Sequence, residues 1–342
     1  MLDPTLLTTL QEAQSLLCIS HVNPDGDAVG SLLGMGWLLR RLHKDPVLAL
    51  QDVPPPEFAW MPGMETLLTA QSPAYQQAVR ETPFDVVVCL DASSQDRMGN
   101  AYNPSVHGSA PLVVIDHHVT NTYFGHINWV DTGCAATCQM VAYLAQALGV
   151  PLEGELAECL LTGLVTDTLC FRTSNTDGRV LAVATQLVQG GANLAQITER
   201  TINRRPFSLL RLWGLVLPRV RLEDRVIWTT VSQSQLQEAG HRSHDTHLSS
   251  LLITADEADI SAVFLEKAMD DGVPAVECSF RAKPGFDVSR IALQLGGGGH
   301  PPASGCTVSG TLEEVAARVV PLLREARRAQ AIHREQSIRD TA

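Results

Sequence analysis

The distribution of apolar residues in the first half of the chain predicts a mostly parallel β-sheet covered by helices. Short apolar runs occupy positions 15–20, 47–51, 85–91 and 112–116. Runs without polar alternation are typical of strands buried on both faces, as in a parallel sheet. Helical periodicity follows at 28–42, 134–148, 153–168 and 176–190. The first half is therefore predicted to be an α/β domain with flanking helices.

The second half has a different pattern, which predicts a smaller C-terminal α/β domain. Strand-like runs stand at 225–231, 260–265, 275–281 and 305–308, and helices are predicted at 287–295 and from 311 to about 330. The charged stretch 193–217 is predicted to be helical throughout and to connect the domains. The boundaries that we predict are 1–190 for the first domain, 191–222 for the helical connector, 223–330 for the second domain and 331–342 for a flexible tail.

The length, net charge and apolar content of the chain limit the kinds of molecule that it is expected to bind. The chain has 342 residues, of which 45% are hydrophobic, and a formal net charge of −12. This length is typical of two domains, and the acidic charge argues against binding to long duplex nucleic acid. No apolar run is long enough to span a bilayer, and the N-terminus lacks the pattern of a signal peptide. We therefore expect a cytoplasmic protein without a membrane partner, whose eight cysteines are small buried hydrophobes.

Histidines and carboxylates follow the predicted strands of the first domain at the positions where each strand ends. They are His21, Asp25, Asp27, Asp91, Asp116, His117 and His118, and Asp167 stands near the end of a predicted helix. The carboxyl ends of parallel strands share one edge of the sheet, where α/β folds place their ligands. Two carboxylates as close as Asp25 and Asp27 are costly to ionise together unless a cation offsets them. The sequence therefore predicts a metal site at this edge.

Two histidines and four carboxylates suit two divalent ions that share one ligand. We expect Asp91, at the end of a central strand, to be the shared ligand. Mixed nitrogen and oxygen ligands favour Mn²⁺ over Ca²⁺ or Mg²⁺, with zinc, iron and cobalt as alternatives. Two neighbouring ions can activate water and neutralise a phosphoryl oxygen. Each residue taken singly is as well explained by a helix cap or a buried hydrogen bond, so the prediction depends on the whole set.

Three further polar residues lie near the predicted metal ligands. We expect His118 to face a substrate phosphate or the leaving oxygen, and Asp116 to hold a ligand histidine in the correct tautomer. Asn121 is equally well explained as an amide contact to the site or as a turn residue.

The second domain contains a candidate anion site. The glycines at 296–299 allow close approach of a backbone to an anion, and His300 and Arg281 could contact phosphate. A plain loop and a surface salt bridge are the alternatives. A tract at 241–247 with three histidines is interpreted as a solvated loop rather than a metal site.

These motifs together resemble the DHH superfamily of phosphoesterases and, within it, the bifunctional oligoribonuclease and PAP phosphatase (nanoRNase) group. The stretch HVNPDGD at 21–27 is similar to the first family motif, and Asp91 is similar to the second. The third motif is matched by Asp116, His117 and His118, and the fourth by TDT at 166–168. The pair FR at 280–281 and the run GGGH at 297–300 resemble the DHH-associated C-terminal domain, so the resemblance covers nearly the whole chain.

The resemblance implies a role for each matched residue. One Mn²⁺ would be held by His21, Asp25 and Asp91, and the other by Asp27, Asp91, His117 and Asp167. His118, Asp91 and Asp116 would be catalytic. The substrate would be bound in a cleft between the domains by His118, Arg281, Gly298, Gly299 and His300. The chain departs from the family at Pro301 and Pro302, where small residues are usual, and this departure bears on substrate preference.

The function implied is that of a manganese-dependent phosphodiesterase and phosphomonoesterase. Its substrates would be short oligoribonucleotides, linear dinucleotides and 3′-phosphoadenosine 5′-phosphate (PAP), which yields AMP. The alternatives within the superfamily are a cyclic-dinucleotide phosphodiesterase and a single-strand exonuclease. Outside the enzymes, a nucleotide-binding regulator is the alternative, and a homodimer stays open as the assembly.

Overall fold

The computed structural model describes residues 3–81, 83–243, 246–267 and 273–340. The chain divides into two compact units, Met1–Arg204 and Arg205–Ala342, so the division falls inside the connector predicted at 191–222. Residues 244 and 245 of the histidine-containing tract, and residues 341 and 342 of the predicted tail, lie outside the described residues.

The first unit is built on a sheet of six parallel strands in the order β3-β2-β1-β4-β5-β6. The strands are β1 (Leu16–Ile19), β2 (Val47–Leu50), β3 (Leu67–Thr69), β4 (Val86–Leu90), β5 (Leu112–Asp116) and β6 (Ile127–Val130). The four strands predicted from apolar runs are present. The prediction missed β3 and β6, because these two edge strands are short and mostly half-buried and so lack a continuous apolar run.

Both faces of this sheet are covered, which explains the unbroken apolar runs. Leu16 and Cys18 of β1 contribute to one hydrophobic core, while Leu17 and Ile19 contribute to the core on the opposite face. Strands β1 and β4 are neighbours although β2 and β3 intervene in the chain, so the strand order reverses between them. Ligands of open parallel sheets bind outside the carboxyl ends of the strands at such a reversal.

The helices of the first unit lie between and after its strands. They are α1 (Pro4–Glu12), α2 (Gly26–Arg41), α3 (Pro73–Glu81), α4 (Pro104–His107), α5 (Thr137–Ala147), α6 (Gly154–Asp167), α7 (Gly178–Gln189) and α8 (Leu194–Thr201). Helices α2, α5 and α6 pack closely at two glycines. A Cβ at Gly30 would lie 2.8 Å from the Cys159 carbonyl oxygen, and one at Gly163 would lie 2.3 Å from Cys138 Sγ. Only glycine permits this approach, which brings the N-termini of α2 and α5 beside α6.

The second unit is also a mixed α/β structure with a six-stranded sheet, in the order β11-β12-β10-β9-β8-β7. Among the described strands of this sheet, β8 and β9 pair in parallel and the other neighbours are antiparallel. The strands are β7 (Arg221–Glu223), β8 (Val226–Val231), β9 (Ile260–Lys267), β10 (Ala275–Ala282), β11 (Gly298–His300) and β12 (Ala303–Ser309). The helices are α9 (Phe207–Val216), α10 (Gln233–Ala239), α11 (Leu248–Leu252), α12 (Ser289–Gln294) and α13 (Leu312–Asp340). Short 3₁₀ turns occur in both units at Pro56–Phe58, Met64–Thr66, Gln95–Ala101 and Leu217–Arg219.

Three segments differ from the sequence-based expectation. The helix predicted at 193–217 is broken, because Pro206 lacks an amide hydrogen and disfavours helical backbone at the residue before it. The glycine run at 296–299, for which a plain loop is the alternative to an anion site, leads into the edge strand β11, and Pro301 and Pro302 form the turn between β11 and β12. Helix α13 continues to Asp340, so the described backbone of the predicted tail is helical.

All eight cysteines are free thiols. Across the described ranges of the chain, none of the helices combines the length and the apolar composition needed to cross a membrane.

Candidate metal centre

The polar ends of β1 and β4 form the first of two ligand groups. His21 Nε2 lies 3.8 Å from Asp25 Oδ1 and 3.5 Å from Asp91 Oδ2. The other ring nitrogen, Nδ1, lies 2.8 Å from the Val22 carbonyl oxygen, to which it can donate its proton. The Nε2 lone pair of His21 is then directed at the two carboxylates.

The second group is formed by His117, at the end of β5, with carboxylates from α2, β4 and α6. His117 Nε2 lies 3.8 Å from Asp27 Oδ2, 3.5 Å from Asp91 Oδ1 and 3.7 Å from Asp167 Oδ2. Asp27 is in the first turn of α2, and Asp167 is the last residue of α6. The structure therefore brings together all six of the residues that the sequence predicted as metal ligands.

Asp91 stands between the two groups and contributes one carboxylate oxygen to each. Its Oδ2 faces His21 and its Oδ1 faces His117. The residue is 2% exposed and has a left-handed backbone, with φ at 61°. Such a backbone is costly for a residue other than glycine and is typical of functional sites. The turn at the end of β4 thus directs Asp91 into the space between the groups.

The separations between these side-chain atoms fit ligands of a common cation. Distances of 3.5–3.8 Å between nitrogen and oxygen are too long for good hydrogen bonds. Two ligand atoms that are each about 2.1 Å from one ion lie roughly 3.0–3.6 Å apart. Imidazole and carboxylate together suit Mn²⁺, Zn²⁺ and Fe²⁺. The residues of both groups therefore fit divalent metal ions.

The electrostatics of the second group also favour a cation. Burial and the charge of Asp91 raise the pKa of Asp167 to about 8, and the same two causes raise the pKa of Asp27 well above its usual range. Burial lowers the pKa of His117, which favours the neutral ring that a metal requires. A divalent ion would offset the repulsion between the carboxylates and so allow both aspartates to ionise.

In the first group the pKa of the histidine is raised rather than lowered, which favours a protonated ring. Burial lowers the pKa of His21, but the adjacent Asp25 and Asp91 carboxylates outweigh this effect and raise it to about 10. Asp25 is subject to the reverse balance: burial raises its pKa, while His21 and backbone amides lower it to about 2. Asp25 also caps helix α2, since its Oδ1 accepts hydrogen bonds from the amides of Asp27 and Ala28 at 3.0 Å. An ion in the first group would therefore compete with a proton on His21.

Helix α5 donates hydrogen bonds to two of the candidate ligands, Asp27 and Asp91. The amide of Thr137 donates to Asp27 Oδ2 at 2.6 Å, and the amide of Cys138 donates to Asp27 Oδ1 at 2.9 Å. The Thr137 hydroxyl donates to Asp91 Oδ1 at 2.9 Å. Sequence reasoning missed Thr137, because it lies 110 residues after Asp27 and no local motif marks it.

Asp116, His118 and Asn121 form a hydrogen-bonded chain beside the ligand groups. Asp116 is fully buried, with Oδ1 2.7 Å from His118 Nδ1 and Oδ2 2.6 Å from the Asn121 amide nitrogen. The bond to Asp116 raises the pKa of His118. It engages Nδ1, which also lies 3.8 Å from Asp91 Oδ1. Asp116 therefore orients His118, whereas the sequence predicts that it holds a ligand histidine. The side chain of Asn121 contributes to this chain through its amide.

In the second unit, the residues predicted to bind phosphate lie at one edge of the sheet. Arg281 on β10 and His300 on β11 are both register partners of Ala303 on β12. The three residues form one row, so the side chains of Arg281 and His300 project from the same face, about two strand spacings or 10 Å apart. Gly299 has φ at 129°, and a Cβ there would lie 2.6 Å from Ser304 Cα, so no larger residue fits this strand. Gly298 precedes it on the exposed strand β11.

Comparison with known proteins identifies the family. Residues 15–164 match the DHH family, N-terminal domain. The chain is 37% identical over 309 residues to the protein named "Bifunctional oligoribonuclease and PAP phosphatase NrnA" of Thermus thermophilus, covering 90% of this chain and 88% of that protein.

Two solved structures share the fold. An exopolyphosphatase-related protein from Bacteroides fragilis superposes with a TM-score of 0.84 at 24% identity, covering 96% of both chains. RecJ of Thermus thermophilus, solved in complex with Mn²⁺, superposes with a TM-score of 0.51 at 14% identity, covering 95% of this chain and 54% of that one. Because the similarity to NrnA extends over nine tenths of the sequence and includes both units, this chain belongs to the DHH family of phosphoesterases, in the group that contains NrnA.

Proposed function

We propose that this protein hydrolyses oligoribonucleotides of a few residues, including linear dinucleotides, to mononucleotides, and PAP to AMP. The observation that carries the proposal is the pair of ligand groups that share Asp91, in a chain closely similar to an oligoribonuclease and PAP phosphatase. Long duplex nucleic acid is not proposed as a substrate, because a net charge of −12 opposes extensive contact with phosphates.

The proposed cofactor is a pair of divalent ions, with Mn²⁺ as the preferred metal. His21, Asp25 and Asp91 would hold the first ion, and Asp27, Asp91, His117 and Asp167 the second. Bound divalent ions neutralise charge on a phosphoryl group and lower the pKa of water. Manganese is favoured by the mixed nitrogen and oxygen ligands, and RecJ, which shares the fold, was solved with Mn²⁺.

His118 is proposed to touch the substrate at the scissile phosphate. Its Nδ1 is engaged by Asp116, so Nε2 is the atom that can donate a hydrogen bond or a proton to the leaving oxygen. The pKa of His118 is raised by Asp116, which keeps the ring protonated to higher pH. Asp116 fixes the orientation of the ring, and Asn121 fixes Asp116 through its second carboxylate oxygen.

Arg281, Gly298, Gly299 and His300 are proposed to bind the terminal phosphate or nucleotide of the substrate. A guanidinium can bind phosphate through two parallel hydrogen bonds, and a glycine backbone permits close approach of an anion. The common face of Arg281 and His300 supports joint action on one ligand.

The test is hydrolysis by the full-length protein after removal of metals with a chelator. Substrates are a labelled RNA dinucleotide, a pentanucleotide, a long single-stranded RNA, PAP and a cyclic dinucleotide, each with and without added Mn²⁺. We expect mononucleotide release from the two short RNAs and AMP from PAP, only with the metal. Binding of these ligands without any hydrolysis would contradict the proposal and favour a nucleotide-binding regulator. Hydrolysis of the cyclic dinucleotide alone would favour the cyclic-dinucleotide phosphodiesterase.

A further inference from the structure

Hydrogen bonds from helix α5 reach only one side of the metal centre. Both carboxylate oxygens of Asp27 are occupied by amides of the first turn, those of Thr137 and Cys138. The Thr137 hydroxyl is bonded to Oδ1 of Asp91, the oxygen that faces His117. The other oxygen of Asp91, which faces His21, has no hydrogen bond from α5 among the residues described. The support from α5 is therefore directed at the second ligand group.

The close packing behind Thr137 makes this support rigid. Thr137 is fully buried, and the Sγ of Cys138 fills the space above Gly163, where a Cβ would lie 2.3 Å from the sulfur and 2.9 Å from Asp27 Oδ1. Asp27 is itself 1% exposed. Both side chains are thus enclosed and hydrogen-bonded, Asp27 through both carboxylate oxygens and Thr137 through its hydroxyl.

The first group is less constrained. The side chain of Asp25 is 62% exposed, and the Oδ1 atom that faces His21 also caps α2. The amides of Asp27 and Ala28 hold this oxygen much as the amides of α5 hold Asp27, so the contrast between the groups is the exposure of Asp25 and the Thr137 hydroxyl on Asp91 Oδ1. The two groups therefore differ in how far their ligands are held in place before an ion arrives.

We propose that Thr137 is a positioning residue for the second ion, and that the second group binds its ion more tightly and fills first. The hydroxyl fixes the Asp91 oxygen that belongs to this group, and the helix fixes Asp27, so little ordering is required on binding. Loss of a residue that hydrogen-bonds to a metal ligand typically lowers the affinity for the metal by about 10- to 100-fold. The inference rests on the proposed two-ion centre.

The test measures Mn²⁺ binding to the full-length, metal-stripped protein by isothermal titration calorimetry, with free Mn²⁺ followed by EPR. Thr137→Val removes the hydroxyl at nearly constant volume, and Thr137→Ser retains it. Thr162→Val is the matched control, because Thr162 is also fully buried but its hydroxyl donates to the Glu158 carbonyl of its own helix. Thermal unfolding in chelator shows whether each variant is folded.

The wild-type protein should bind two ions with unequal affinities. Thr137→Val should weaken the tighter ion by about 10- to 100-fold and leave the weaker one nearly unchanged, while Thr137→Ser and Thr162→Val bind as the wild type does. Asp167→Asn should weaken the same ion as Thr137→Val, and Asp25→Asn should weaken the other.

Each contrary result has a distinct meaning. Wild-type affinities in Thr137→Val, or equal loss at both ions, would overturn the role of Thr137 while the two-ion centre stands. Loss of binding in Thr137→Ser equal to that in Thr137→Val would show that packing of the methyl group, not the hydroxyl, is responsible, and this too overturns the proposal. A wild-type protein that binds no divalent ion would refute the metal centre itself and the role of Thr137 with it. Should Thr137→Val fail to fold, Thr137→Ala takes its place: Thr137→Ala and Thr137→Ser both lack the methyl group and differ only in the hydroxyl, so equal binding by these two variants would overturn the proposal.

Discussion

Replacing Asp91 by asparagine tests the shared ligand most directly. The change conserves shape and leaves an oxygen that can accept the hydrogen bond from Thr137, but it removes the charge and one of the two ligand oxygens. Because Asp91 faces His21 with one oxygen and His117 with the other, both ligand groups should lose affinity together. The fold should be retained, since the side chain keeps its volume.

The magnitude follows from the linkage between binding and stability. With one Kd taken for both ions as a simplification, a free-ion concentration of one hundred times Kd stabilises the folded state by about 2.7 kcal/mol for one ion and about 5 kcal/mol for two. A domain of the size of the first unit, Met1–Arg204, gains about 2–4 °C in Tm per kcal/mol. The Tm of the wild-type protein should therefore rise by roughly 10–20 °C when Mn²⁺ is added. A hundredfold loss of affinity at each site would reduce the stabilisation to about 0.4 kcal/mol per ion and the rise to roughly 2–3 °C.

The assay is differential scanning calorimetry with Mn²⁺ and with chelator, together with turnover of an RNA dinucleotide. Loss of several kcal/mol of transition-state stabilisation should lower turnover by about a thousandfold. Asp177→Asn is the control, because Asp177 caps α7 with Oδ1 accepting from the amides of Arg179 and Val180, and asparagine caps equally well. A wild-type rise in Tm and wild-type turnover in Asp91→Asn would refute the shared-ligand arrangement.

Three further predictions concern the substrate side. Arg281→Ala should lower kcat/KM for a dinucleotide by about 10- to 100-fold, mainly by raising KM, and should leave Mn²⁺ binding in calorimetry unchanged. If the variant instead loses Mn²⁺ binding, the proposal that Arg281 binds substrate is wrong. The Asp116 carboxylate raises the pKa of His118, so Asp116→Asn should lower that pKa. The alkaline limb of the pH–rate profile should then move to lower pH. An unmoved limb would contradict proton donation by His118. The rate should fall steeply from a pentanucleotide to a long RNA when both are compared by mononucleotide release, and equal rates would remove the preference for short substrates.

The sequence alone determined the class of the fold and the side-chain types of the candidate metal centre. Central strands that are buried on both faces require unbroken apolar runs. For this reason β1, β4 and β5, and the polar residues that follow them, could be predicted from the sequence. The edge strands β3 and β6 are half-exposed and gave no such pattern. The break before Pro206 could have been read from the proline itself, but the helical periodicity on either side obscured it.

Only the tertiary structure decided how the ligands are divided and supported. Which oxygen of Asp91 faces which histidine depends on the turn after β4, and the contact between Thr137 and Asp91 depends on close packing of α5 against two other helices. Likewise, Asp116 bonds to His118 rather than to His117, although both histidines follow it directly in the chain. Local sequence sets which groups can coordinate or donate, whereas distances between groups far apart in the chain are set by how the elements pack.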